Sequence, residues 1–158
     1  MVDIEIWTDG GCHGNPGPGA WAYLIASGEG AEERRVIAER TGAEKLTTNN
    51  RMELRAVISS LEDLDNVLKA AGGNPKNITV FTDSEYVKSG ITKWMLNWKA
   101  NGWRTAAKKP VKNQDLWTRL DSLCASRPLL WRWVNGHSGI IFNERCDALV
   151  QKAISELE

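Results

Sequence analysis

The beginning of the chain combines the pattern of a β-strand with that of a turn. Side chains alternate in character along the run IEIWTD, from Ile4 to Asp9, which is the period of a strand. The segment that follows, GGCHGNPGPG, is rich in glycine and proline and predicts a turn. The pattern therefore predicts that Asp9 stands where the first strand ends.

Three other acidic residues occupy comparable places in the sequence. Asp83 closes the apolar run ITVFT, Glu53 follows the segment TTNN at the start of a helical pattern, and Asp147 lies early in the pattern NERCDALV. A single acid at the end of a strand is most often a turn former or a helix cap. If the four acids act together, only the tertiary fold can assemble them, because they are far apart in sequence.

The composition is that of one ordinary globular domain, which we expect to span residues 1–158. Charged residues make up 25% of the chain, hydrophobic residues make up 42%, and the formal net charge is zero. We find neither a secretory signal pattern nor a run of about 18 apolar residues, so we expect a cytoplasmic protein. Cys12, Cys124 and Cys146 are odd in number and widely spaced, which predicts reduced thiols and no zinc site.

The periodicity of the chain predicts an α/β fold. Three strand patterns precede Thr48, and apolar residues then recur every three or four positions from Thr48 to Ala71, with Thr48 as N-cap and Gly72 as the stop. A strand over 78–82, two helical patterns, the strand pattern LLWRWVN and a helix from Asn143 to Leu157 follow. We therefore predict a five-stranded mixed sheet, an antiparallel meander plus two parallel strands, flanked by helices.

One segment concentrates positive charge. From Tyr86 through Gln114 there are seven basic residues and no acidic one, so the rest of the chain carries seven net negative charges. Such a basic lobe, which also contains tryptophans, suits phosphates and sugar faces, although a charge run can also be a solvated face. Helical spacing predicts that Trp94 and Trp98 are core residues, and a glycine-flanked loop predicts that Trp103 is the most exposed aromatic.

The four acids also indicate a type of metal chemistry. Carboxylates without cysteine or histidine at ligand spacing form a site made only of oxygen ligands, which selects Mg²⁺ or Mn²⁺ over zinc. Two such ions can flank a phosphate during in-line displacement. This chemistry agrees with the nucleic-acid partner that the basic segment suggests.

Several motifs resemble those of the type 1 ribonuclease H family, of the bacterial ribonuclease HI kind. TDGGCHGNPGPG, TTNNRMELRA, TDSEYVKSGI and GHSG-x3-NERCD-x-L follow one another in the family's order over nearly the whole chain. The resemblance implies a ribonuclease H-like fold and hydrolysis of the RNA strand of RNA/DNA hybrids with two divalent ions. It implies that the metal ligands are Asp9, Glu53, Asp83 and Asp147, and that His137, in a mobile loop, handles protons or product release.

The resemblance also implies two sets of substrate contacts. Those near the RNA 2′-hydroxyls are Cys12, Asn15, Asn49 and Asn50. Those to the DNA strand are a phosphate-pocket residue and a basic helical protrusion over about 92–112, namely Thr48, Trp94, Lys99, Trp103, Arg104, Lys108, Lys109 and Lys112. The sequence departs from the family's usual residues in three places: Leu46 replaces an arginine, Glu85 replaces a glutamine, and segment 140–142 is apolar.

Other interpretations of the sequence stay open. The chain could be a nuclease of the same fold that acts on DNA, or a hybrid-binding module without catalysis. Cys12 and Asn15 could be turn formers, Asn49 and Asn50 could cap a helix start, and His137 could be a polar loop residue. We expect a monomer without an obligate protein partner.

Overall fold

The computed structural model describes residues 2–28, 34–72, 74–135 and 140–157. These residues form a five-stranded sheet in the order β3-β2-β1-β4-β5. The strands β1, β2 and β3 pair antiparallel, whereas β4 is parallel to β1 and to β5. The strands are β1 (Val2–Cys12), β2 (Gly17–Gly28), β3 (Arg35–Thr47), β4 (Pro75–Thr82) and β5 (Leu130–Trp133). The predicted mixed sheet is confirmed.

Helices cover both faces of this sheet. They are α1 (Asn49–Ala71), α2 (Glu85–Ser89), which continues through a π-helical turn (Gly90–Trp94) into α3 (Met95–Ala100), then α4 (Gln114–Ala125) and α5 (Ile141–Leu157). The boundaries of α1 are as predicted: the Thr48 hydroxyl accepts from the Arg51 N–H, and Gly72 ends the helix with a φ of 70°. Within the described ranges, no helix has both the length and the apolar character that crossing a membrane requires.

Two hydrophobic cores lie on opposite faces of the sheet. Ile4 and Ile6 of β1 pack with α1 on one face, whereas Trp7 packs on the other face with Val150 and Ile154 of α5. Because successive side chains of a strand point to opposite faces, the central strand β1 contributes to both cores. Its carboxyl end therefore lies between α1 and α5, where side chains from both helices can meet.

The prediction that β1 ends at Asp9 is wrong. The strand continues to Cys12, and Asp9 pairs with Ala22 of β2. Glycine continues the strand because α1 lies directly against it: a Cβ at Gly10 would be 2.3 Å from the carbonyl carbon of Met52. The parallel pairing with β4 does stop before Asp9, so Asp9 lies at the same edge of the sheet as Asp83.

The predicted exposures of Trp94 and Trp103 are also wrong. Trp103 is half-buried because positive φ angles at Gly102 and Trp103 turn the chain back, and its ring lies 6.5 Å from that of Trp98. Trp94 is the more exposed residue, at 37%. The π-helical turn that ends at Trp94 adds a residue to the helical repeat, which displaces this side chain from the predicted buried face.

Candidate active site

Three carboxylates from different elements meet at the carboxyl edge of the parallel strands. Asp9 lies in β1, Glu53 lies early in α1, and Asp83 directly follows β4. Each offers an oxygen, and these oxygens lie within 4.8 Å of one another. The structure thus brings together three of the four acids that the sequence singled out.

Gly10 fixes the two most buried of these acids. Its backbone N–H partly offsets the rise in the pKa of both Asp9 and Glu53, and its lack of a side chain lets the backbone of α1 approach β1. A larger residue at this position would move Glu53 away from Asp9. The glycine therefore affects the geometry of the cluster as well as the pKa of these two acids.

Burial and mutual repulsion make the charged state of these acids costly. Asp9 and Glu53 are each only 6% exposed. Burial, and next the charges of Asp83 and Asp147, raise the pKa of Asp9 to about 8. Burial also raises the pKa of Glu53 well above its usual value, and Asp9 and Asp83 raise it further. A group of acids in this state gains stability from bound protons or cations.

Asp147 joins the cluster from the opposite helix. It lies on α5, close enough to Asp9 that its carboxylate raises the pKa of that residue. All four acids line an open cleft of about 530 Å³, together with residues from the end of β1, the starts of α1 and α2, and α5: Gly10, Gly11, Cys12, Asn49, Asn50, Ser84, Glu85, Tyr86 and Gln151. A groove of about 590 Å³ between β3 and the end of α1 has a single carboxylate, that of Asp63, so the acidic cleft is the better candidate for metal chemistry.

The residues predicted to contact RNA lie on the rim of this cleft. Cys12, Asn49 and Asn50 line it, and the Asn15 side-chain oxygen accepts from the Asn49 N–H at 3.1 Å. The Cys12 thiol donates to the carbonyl oxygen of Gly14 at 2.8 Å. Cys12 and Asn15 therefore also have the structural contacts that the alternative interpretation expects, and these contacts hold the rim in a fixed shape.

The predicted basic protrusion lies outside the acidic cleft. Its cationic residues are exposed, and among them Lys99 forms an ion pair with Asp121 of α4 at 3.1 Å. A single bridge between Arg104 and Pro110 closes the loop after α3. Tyr86 connects the two regions, because it lines the cleft and its ring lies 5.9 Å from the ring of Trp94.

The remaining predicted positions have varied surroundings. His137 lies outside the described residues. Glu85 lines the acidic cleft, and Leu46 is 74% exposed at the end of β3. In the apolar segment, Ile141 is exposed, whereas the ring of Phe142 lies 6.0 Å from that of Trp7 in an edge-on arrangement.

Asn113 is a residue that the sequence interpretation missed. It adopts a φ of 61° before α4, its amide nitrogen donates to the Tyr86 hydroxyl at 3.1 Å, and its amide oxygen accepts from Arg51. It therefore ties the first turn of α1 to the end of the basic segment. Asparagine tolerates this left-handed conformation better than most residues, and its position before a helical pattern was the signal that could have identified it.

A family comparison decides what kind of protein carries this site. The RNase H family model matches residues 1–155. The chain belongs to the ribonuclease H family. It is 52% identical over 157 residues to a ribonuclease H of Hydrogenovibrio crunogenus and 48% identical over 162 residues to that of Treponema denticola, and each alignment covers 99% of both chains.

Solved structures of ribonucleases H share the fold. LC11-RNase H1 in complex with RNA/DNA hybrid is 25% identical with a TM-score of 0.72, and the alignment covers 98% of this chain and 99% of that one. LC9-RNase H1, a type 1 RNase H with the type 2 active-site motif, is 28% identical with a TM-score of 0.81, covering 99% of this chain and 74% of that one. As a ribonuclease H, the chain is an enzyme that cleaves the RNA strand of RNA/DNA hybrids, and the acidic triad is consistent with its active site.

Proposed function

We propose that Asp9, Glu53, Asp83 and Asp147 form the catalytic site and hold two Mg²⁺ or Mn²⁺ ions during RNA cleavage. The observation that carries this proposal is the convergence of three carboxylates from three elements to within 4.8 Å. Acids this close repel one another unless protons or cations neutralise them. A ligand set of carboxylate oxygens alone favours hard divalent cations.

Glu53 provides the test of whether this site fits a cation. Its Oε2 atom is buried and has no hydrogen-bond partner among the described residues. A buried polar atom without a partner costs free energy, and coordination of a cation would remove that cost. When bound, the ions would lower the pKa of the attacking water and offset charge on the scissile phosphate and the leaving oxygen.

The protein's own groups would orient the reaction. Asp9 and Glu53, the two most buried acids, would form the floor of the cleft, which Asp83 and Asp147 also line. Glu53 would also face the RNA beside the scissile phosphate. His137 remains our proposed group for proton transfer or product release.

The rim of the cleft suits the RNA strand. Cys12, Asn49 and Asn50 line the cleft, and Asn15 is bonded to the start of α1. Because the Asn15 oxygen already accepts from the Asn49 N–H, its amide nitrogen remains the group that can donate to a 2′-hydroxyl. Hydroxyl recognition of this kind distinguishes RNA from DNA.

The basic protrusion suits the DNA strand of the hybrid. The exposed cations of this region can contact phosphates, and Trp94 and Trp103 can contact sugar faces. Thr48 caps α1 with its hydroxyl, next to the predicted RNA contacts, and we assign it to a phosphate pocket. The proposed set is Thr48, Trp94, Lys99, Trp103, Arg104, Lys108, Lys109 and Lys112.

Cleavage of matched duplexes tests these assignments. End-labelled RNA/DNA hybrid, duplex RNA and duplex DNA are incubated with Mg²⁺, Mn²⁺ or chelator. We expect metal-dependent cleavage of the RNA strand of the hybrid alone, with Asp83→Asn inactive. Cleavage of duplex DNA would instead favour a DNA-acting nuclease, and hybrid binding without cleavage would favour a binding module.

Metal stoichiometry, assembly and location are separate predictions. Calorimetric titration of Mg²⁺ into the protein with a non-cleavable hybrid should show two binding events. We expect size-exclusion chromatography to give a monomer and cell fractionation to place the protein in the cytoplasm.

A further inference from the structure

His13 lies on the rim of the acidic cleft, in the turn between β1 and β2. Its Nε2 atom lies 3.0 Å from Oε1 of Gln151, and because an amide oxygen only accepts, Nε2 carries the hydrogen of this bond. Gln151 lies one helical turn beyond Asp147 on α5 and lines the cleft. The contact therefore joins the turn to the helix that carries the fourth acid.

The turn itself has a fixed shape. The His13 N–H donates to the carbonyl oxygen of Pro18 at 2.8 Å, and the Cys12 thiol donates to the carbonyl oxygen of Gly14 at the same distance. A Cβ at Gly17 would lie 2.1 Å from the His13 carbonyl oxygen, so the two arms of the turn are in direct contact. The backbone thus sets the position of the imidazole, and Gln151 sets its orientation.

The acidic cleft requires hydrogen-bond donors for the phosphates of the RNA strand, and this pair can provide one. Among the described residues, no lysine or arginine lines the cleft. Every nucleotide of the RNA strand carries a phosphate, and the proposed ions would bind only the scissile phosphate. Phosphates on either side of it require other donors. Because its oxygen accepts from His13, Gln151 presents its amide nitrogen as a donor.

We propose that the Gln151 amide nitrogen, oriented by His13, binds an RNA-strand phosphate next to the scissile one, on the α5 side of the cleft. The inference rests on the proposed function, because the identity of the strand follows from the RNA contacts assigned to Cys12 and Asn15 in the same turn. The pair positions the strand for cleavage by the acids. Its loss should therefore raise KM more than it lowers kcat.

The test measures whether the effect of this side-chain pair on KM depends on individual phosphates of the RNA strand. Each hybrid carries one deoxynucleotide in the RNA strand near the cleavage site, with either a native phosphate or an uncharged methylphosphonate. KM is compared between wild type and a double variant, His13→Ala with Gln151→Ala. We expect the double variant to raise KM on the native hybrid by roughly 10- to 100-fold, the scale of one hydrogen bond to a charged group. At one RNA-strand position, the methylphosphonate should raise the wild-type KM similarly but leave that of the double variant unchanged.

Two further variants separate binding from a structural role. Ser155→Ala is the matched control, because Ser155 is exposed one turn further along α5 and does not line the cleft; it should give the wild-type KM. Gln151→Arg in the His13→Ala background should lower KM most of the way back to the wild-type value, because a guanidinium can bind a phosphate through two hydrogen bonds.

Two results of this experiment would contradict the proposal. A methylphosphonate effect of the same size in wild type and double variant at every RNA-strand position would overturn the proposal, and so would a wild-type KM that no RNA-strand methylphosphonate changes. In both cases wild type would still cleave the hybrid in the presence of metal. Failure of the proposed function would instead appear as wild-type protein without metal-dependent hybrid cleavage.

Discussion

Removing the charge of Asp9 should make the metal-free protein more stable. Burial and the neighbouring acids raise the pKa of Asp9 from 3.8 to about 8. A group whose pKa is higher in the folded protein than in the unfolded chain stabilises the fold while it is protonated, and this stabilisation is lost as pH rises from about 4 to 8. At ~1.36 kcal/mol per pKa unit, this one group lowers the free energy of unfolding by at most about 4 kcal/mol between pH 4 and pH 7.

The substitution Asp9→Asn removes this titration. In chelator, we expect the variant to melt several degrees above wild type at pH 7, since about 1 kcal/mol shifts a domain of this size by roughly 2 to 4 °C. Near pH 4 the two melting temperatures should nearly coincide, because wild-type Asp9 is then protonated. Added Mg²⁺ should stabilise wild type more than the variant, because a cation stabilises only the state that binds it.

Asp115→Asn is the control, and its melting temperature should change in the opposite direction. The hydrogen bond from Arg51 lowers the pKa of Asp115, so its carboxylate stabilises the fold above the unfolded pKa, and the effect is lost as pH falls. This variant should melt below wild type at pH 7, and the deficit should shrink in acid. The reasoning would be refuted if Asp9→Asn lowered the melting temperature at pH 7, or shifted it equally at pH 4 and pH 7, because Asp9 would then be a structural cap.

Three other perturbations test the remaining parts of the site. Asp83→Asn should reduce single-turnover cleavage by at least ~10²-fold, the scale of losing a major electrostatic contribution, while hybrid affinity in a filter-binding assay changes much less; near-normal cleavage would exclude Asp83 from the site. Lys108→Ala together with Lys109→Ala should reduce the slope of log K against log salt by roughly 1 to 2 units, whereas an unchanged slope would indicate a solvated face. Gly10→Ala places a methyl group 2.3 Å from the carbonyl carbon of Met52, so it should destabilise the fold by about 1 to 3 kcal/mol; a melting temperature equal to that of wild type would contradict the close approach of α1.

Strong local patterns predicted most of the fold. The helical repeat, the Thr48 cap and the Gly72 stop gave α1, because each depends on residues close in sequence. The acids Asp9, Glu53 and Asp83 could be singled out as a group because the sequence pattern placed each near the end of a strand or the start of a helix, and the structure brings their carboxylates together, although Asp9 lies inside β1.

The errors arose where contacts distant in sequence determine the structure. Gly10 belongs to a strand because α1 packs against it, although glycine alone indicates a turn. A Cβ at position 90 would lie 1.9 Å from the Trp117 ring, so only glycine fits there. The π-helical turn begins at this point of close packing. The exposure of Trp94 follows from that turn, so local periodicity could not predict it.

The two separate cores of the sheet also have a consequence for partial unfolding of the protein. Helix α5 packs in a core of its own, whereas α1 packs in the other. Units that share few buried contacts can unfold partially at different free energies, so we expect amide hydrogens of α5 to exchange with solvent independently of those in α1. Because Asp147 lies on α5, each such opening would leave Asp9, Glu53 and Asp83 in place but separate the fourth acid from them. The fraction of molecules with α5 docked would then set an upper limit on the fraction able to turn over.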